Sequence, residues 1–107
     1  GKRPGFERKD MDVYSTVMIP FTTAVLGGEA VVQTLTGRVV CKINPGTQSG
    51  TKIRLKGKGI VSMKDAGRYG DQYVTVQIDV PKNLSNEAKR KLKEFEAACK
   101  NGSRGAA

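Results

Sequence analysis

The chain has no histidine and no tryptophan, and only two cysteines among its 107 residues. Without histidine, a Ser-His-Asp or Cys-His catalytic arrangement and a His-containing zinc site are excluded. Cys41 and Cys99 stand 58 positions apart, so neither a CxxC pair nor a disulfide framework is present. Two solitary cysteines suit a reducing compartment, and a cytoplasmic location is expected. Aromatic residues are scarce, three Phe and three Tyr, and hydrophobic residues reach only 37%. The core is therefore expected to be thin and built from Val, Ile and Leu. No apolar run approaches the ~18–20 residues of a membrane span, so no membrane partner is expected. No signal peptide is visible, and a chain that opens on Gly1 rather than Met reads as a piece of a longer protein.

What is abundant is positive charge. Nineteen Lys and Arg against ten Asp and Glu give +9. Residues 38–68 hold eight basic residues and one acidic, a net +7. Within that stretch Lys52, Arg54, Lys56 and Lys58 alternate with Ile53, Leu55 and Gly57. A strand has a two-residue side-chain period and rises ~3.4 Å per residue, so the four cations are expected on one face, about 7 Å apart. Such a face is either a track for phosphates or an acidic peptide, or a solvated surface whose charge discourages aggregation. No stacking aromatics adjoin the cations, which argues against a single-strand nucleic-acid platform.

Alternation and breakers predict the elements. Residues 1–10 are polar and extended. Residues 11–19, 29–35, 38–44, 51–57 and 71–80 read as strands, the last being the cleanest, with Tyr73, Thr75, Gln77 and Asp79 alternating against Val74, Val76, Ile78 and Val80. Residues 20–27 open on Pro and close on Gly, the signature of one or two helical turns. Thr36-Gly37 reads as a two-residue hairpin turn, and "PGTQSG" at 45–50 as a turn. Glycines at 57 and 59 suggest a bulge or tight backbone packing. Residues 85–99 are helical, with a Ser or Asn start, and Asn101-Gly102 is expected to stop the helix. Residues 101–107 are then a disordered tail. Cys41 falls inside a strand, where a small half-buried residue is expected rather than a reactive thiol. The predicted fold is mainly β, with one short inserted helix and a C-terminal amphipathic helix over 85–100.

On that helix Ala88, Leu92, Phe95 and Cys99 are spaced four, three, four, a heptad seam that Leu84 extends by one step. The seam covers about two heptads, too few for a free-standing coiled coil. It either packs on its own sheet or pairs with a second chain. "GKG" at 57–59 lacks the spacing and following helix of a phosphate loop. The paired carboxylates Asp10/Asp12 and Glu94/Glu96 are ordinary surface groups in the absence of an enclosing pocket. No enzyme activity and no cofactor are expected.

Four blocks in order resemble the second C-terminal β-domain of DnaJ-type co-chaperones, over nearly the whole chain. "RPGFERKDMDVY" at 3–14 resembles the family's His-Pro-x-Phe-x-Arg segment, with Arg3 where His is usual. "IPFTTAVLGGEAVVQTLTGRV" at 19–39 and "INPGTQSGTKIRLKGKGI" at 43–60 resemble its Leu-Gly-Gly and Pro-Gly-Thr-Gln blocks. "GDQYVTVQIDVPKNLS" at 70–85 resembles its Gly-Asp-Leu-Tyr-Val ending. Asn44 and Gln72 replace a frequent Pro and Leu. The J-domain signature and the zinc repeats of one branch are absent from this chain.

The resemblance implies a small two-sheet, sandwich-like β-domain over 1–84, a non-enzymatic module that supports binding of unfolded polypeptide clients, serving a DnaK-type chaperone through other domains. It also implies homodimerisation through the terminal helix, at Ala88, Leu92, Phe95 and Cys99. A client groove, carried over by motif position, would be lined by Val17, Ala30, Val32 and Val76, the alternative being that these are core residues. Some bacterial members of the family bind DNA, so nucleic-acid binding through the basic 38–68 segment is the rival expectation.

Overall fold

A polypeptide with so few aromatics closes its core with β-branched side chains, and the chain does so between two small sheets. The structure, a computed structural model, describes residues 4–106. In chain order the elements are β1 (Glu7–Lys9), β2 (Asp12–Pro20), α1 (Phe21–Leu26), β3 (Gly28–Thr34), β4 (Gly37–Ile43), β5 (Lys52–Leu55), β6 (Gln72–Asp79) and α2 (Asn86–Ala106). One sheet has the order β1-β2-β6-β5, and the other is the β3-β4 hairpin. The mainly β character is the one the alternation predicts, and the two sheets are those the family resemblance implies.

β2 and β6 form the centre of the larger sheet as a parallel pair, in register from Val13 opposite Gln72 to Pro20 opposite Asp79. β1 and β5 flank them antiparallel. The inward-pointing residues of β6, Val74 and Val76, are fully buried. They meet Val32, Cys41 and Ile43 of the hairpin, with Ile19 from β2. Val17 and Ile53 bridge the two halves of this core.

α1 is too short to persist alone. Pro20 starts it, and Ala24 buries its one inward side chain in the core. Its terminal carbonyls are satisfied from a distance. The Gly46 N–H donates to Ala24 O (2.9 Å) and Val25 O (3.1 Å), and the Thr47 N–H to Ala24 O (3.0 Å). The "PGTQSG" segment is therefore a cap for α1 as well as a turn.

Several boundaries differ from expectation. The hairpin turn is Leu35-Thr36, because Thr34 pairs with Gly37. The Thr34 hydroxyl donates to Gly37 O (2.7 Å) and accepts the Thr36 N–H (3.3 Å), closing the turn one residue early. β5 stops at Leu55, because Gly57 turns the chain at φ +77°. Asp12 to Asp71 brings in the predicted tight packing. The Gly59 N–H donates to Gly70 O (2.9 Å) and the Ile60 N–H to Met11 O (2.7 Å), and a Cβ on Gly59 or Gly70 would collide with the Met11 carbonyl.

α2 starts as predicted, with Ser85 Oγ accepting the Ala88 N–H (3.1 Å). It does not stop at Asn101-Gly102 but runs in helical backbone to Ala106. Gly102 lacks the positive φ of a stop signal, and a glycine inside a helix costs only about 1 kcal/mol. Arg3 and Ala107, at the ends of two sequence readings, lie outside the described residues. The chain has a radius of gyration of 18.4 Å and extents of 59 × 33 × 19 Å, against about 13 Å for the radius of a compact domain of this length. The excess comes from α2, which projects from the sheets.

Candidate functional site

Three surfaces follow from this arrangement. The first lies along β2. β1 covers the outer edge of β2 only at Asp12–Tyr14, so no described strand is paired with that edge from Ser15 to Pro20. β3 of the other sheet passes beside it. Between them is a hollow of about 300 Å³, lined by Phe6, Val17, Met18, Val31 and Val32 among others. Its polar tie is Gln72, fully buried, whose Nε2 donates to Ser15 Oγ (2.9 Å) and to Gln33 O (3.0 Å). This side chain links the two sheets beneath the hollow.

Of the expected groove residues, Val17 and Val32 reach this hollow. Val32 is nonetheless 3% exposed and Val76 not at all, and half-buried Ala30 packs against the core. The apolar side chains that project are Met18 (57% exposed) and Val31 (58%), with Val40 opposite Val31 across the hairpin. The sequence carries a signal for them. Val31-Val32 and Val39-Val40 place apolar residues on both faces of a strand, and Met18 sits at an outward phase between Val17 and Ile19.

The second surface joins α1 to α2. A hollow of about 580 Å³ is lined by Phe21, Val25, Leu26, Val80, Leu92 and Phe95, with almost no polar wall. Phe95 meets Phe21 edge to face, ring centroids 6.3 Å apart at 79°. Leu92 and Phe95 each remain 44% exposed. A neighbouring hollow continues along α2 past Leu92 and Phe95 to exposed Cys99. Ala88 is half-buried. Leu92, Phe95 and Cys99 of the predicted seam line these hollows, Ala88 lines neither, and α1 meets the helix at Phe95. The contribution of Phe21, Val25, Leu26 and Val80 is legible only from the tertiary fold.

The third surface is the basic one, and here the expectation fails. β5 holds only Lys52 and Arg54 of the four cations. Lys56 and Lys58 lie beyond it, on either side of the turn at Gly57, and Lys58 is half-buried. Arg54 is committed to Asp71, with Nε and Nη2 at 2.8 and 2.7 Å from Oδ2. The Gly57 N–H donates to the other carboxylate oxygen (2.9 Å). That hydrogen bond, and then the Arg54 guanidinium, hold the Asp71 carboxyl below its ordinary range. Only Lys52 and Arg54 of the four therefore share a strand.

Among the described residues no group of His, Cys, Asp and Glu is arranged to hold a metal. Burial pushes the Cys41 thiol up, away from the reactive thiolate. The chemistry on offer is an open strand edge and apolar stripes.

Comparison with known proteins gives a consistent answer. The family model described as the DnaJ C terminal domain matches residues 1–81. The chain is 46% identical over 93 residues to the chaperone protein DnaJ of Lachnospira eligens, covering 87% of this chain and 25% of that protein. It is 48% identical over 99 residues to the chaperone protein DnaJ of Dichelobacter nodosus, covering 92% and 26%. With the chaperone protein DnaJ of a Geobacillus species the identity is 46% over 91 residues, covering 85% and 24%. The chain spans about a quarter of the length of the curated relatives it matches.

Proposed function

The chain belongs to the DnaJ C terminal domain family, and we propose that it is a non-enzymatic co-chaperone module that binds extended segments of unfolded polypeptide and pairs with a second copy of itself. Hand-over of clients to a DnaK-type chaperone then falls to parts of the longer protein. The observation that carries client binding is the uncovered edge of β2 from Ser15 to Pro20, flanked by Met18 and Val31. An unfolded segment adds as a strand along that edge through main-chain hydrogen bonds, which are indifferent to sequence. Its apolar side chains settle against Met18, Val31 and the hollow floor. Such recognition needs no reaction chemistry and tolerates many clients.

The test is binding of a reduced, carboxymethylated protein that cannot refold, followed by fluorescence anisotropy. Met18→Asp and Val31→Asp alter exposed side chains and leave the core intact. Each is expected to weaken binding about tenfold, the loss of one good apolar contact. No affinity in the unaltered chain, or full affinity in both variants, overturns client binding here.

Pairing rests on the α2 stripe. A seam with Leu92 and Phe95 both 44% exposed leaves apolar surface that a second copy covers. Phe95→Asp is expected to halve the mass seen in sedimentation equilibrium. A monomer with and without the substitution means that α2 serves its own domain only. With only Lys52 and Arg54 on β5, and Arg54 paired with Asp71, the nucleic-acid reading has no supporting observation.

A further inference from the structure

Beyond β5 the chain makes an excursion, residues 56–70, that neither proposed surface uses. It is a small, internally bonded hairpin. Val61 bridges Tyr69 antiparallel, the Ser62 N–H donates to Arg68 O (2.7 Å), and the Gly70 N–H to Ile60 O (3.0 Å). The tip closes on itself. Ser62 Oγ accepts the N–H groups of Lys64 and Asp65 (both 3.2 Å), and Asp65 O accepts those of Gly67 and Arg68 (both 3.0 Å). At this tip Met63 is 98% exposed, with Val61 at 40% and Tyr69 at 52%. Lys64, Asp65 and Arg68 belong to the tip, and Lys56 and half-buried Lys58 lie at its base, where the Gly57 N–H donates to Asp71.

We propose that this hairpin is a contact site for an anionic lipid surface, with Met63 entering the headgroup layer and the surrounding cations meeting lipid phosphates. Three features select that occupant. The charge is complementary: four cations and two anions, Asp65 and Asp71, lie in sixteen residues, 56–71. None of the hollows described above draws a lining residue from 56–70, so a plane suits the hairpin better than a threaded peptide. The Ser62, Lys64, Asp65, Gly67 and Arg68 amides are already bonded within the hairpin, so it offers little to a partner strand. No described helix is long and apolar enough to cross a membrane. A contact that lies on the surface needs none, which amends the expectation of no membrane partner.

The test uses the full chain and two vesicle types, phosphatidylcholine alone and phosphatidylcholine with an equal part of phosphatidylglycerol. Co-sedimentation with the anionic vesicles only, weakening as salt rises, is the expected result. The pair Lys64→Glu and Arg68→Glu is expected to lower partition well over tenfold, since each cation near such a surface is worth about fivefold. Met63→Ser is expected to lower it severalfold, and Met63→Trp to show blue-shifted emission on anionic vesicles. Circular dichroism verifies that each variant folds. Because the whole chain is basic, Lys89→Gln with Lys93→Gln on α2 is the control, and an equal loss there overturns the proposal. So does equal binding of polyglutamate or duplex DNA combined with no effect of Met63→Ser, which would make the hairpin a general anion site.

Discussion

Asp71 shows how much a single side chain holds together here. Its carboxylate takes Gly57 and Arg54, and its N–H donates to Asp12 Oδ1 (2.7 Å), so the turn after β5 is tied to the start of β2. A carboxyl held below its ordinary value of about 3.9 binds fewer protons folded than unfolded. Its stabilising contribution is complete above that value and disappears as pH falls through the lowered folded value. Asp71→Asn is therefore expected to reduce stability at neutral pH and to flatten the decline below about pH 4, read from urea unfolding across that range. Gly70→Ala drives a methyl into the Met11 carbonyl and is expected to cost about 1–3 kcal/mol or more. Cys41 and Cys99 should separate cleanly: a thiol reagent labels exposed Cys99 in the native chain, and buried Cys41 only on unfolding. The glycine spacing at 57 and 59 pointed to tight packing in the sequence. That Gly59 packs against the Met11 carbonyl while Gly57 only turns the chain was not legible, because Met11 is some fifty positions away.

At the level of elements, the strands were legible because alternation survives burial on one face, as in Val74 and Val76 against Tyr73 and Thr75. The short β5 and the long α2 were not. Each depends on what the neighbouring chain does: Gly57 turns away to reach Asp71, and nothing caps α2 at Gly102. α1 is a six-residue helix held by another loop. Gly46 donates to two of its carbonyls from φ +80°. Gly46→Ala is expected to destabilise by about 1–2 kcal/mol through that backbone conformation alone. Ile43→Ala, which opens the core beneath α1, should cost about 2–5 kcal/mol. Chemical denaturation ranks the two.

The whole molecule is a compact β unit carrying a projecting helix. α2 makes little contact with the sheets, so removing residues 85–107 should leave a cooperatively folding domain. Its radius of gyration should fall from 18.4 Å to about 12 Å in small-angle scattering. The fold class was readable from the sequence. The parallel pairing of β2 with β6 was not, because strand patterns specify faces and not partners. That pairing has a consequence for synthesis. β2 leaves the ribosome 59 residues before its partner begins, from Val13 to Gln72. At ~5–20 residues per second the interval lasts about 3–12 seconds. The β3-β4 hairpin closes in that time, but the larger sheet waits with its valines uncovered. During those seconds the nascent segment is itself an unfolded polypeptide, open to the kind of capture proposed for the finished β2 edge.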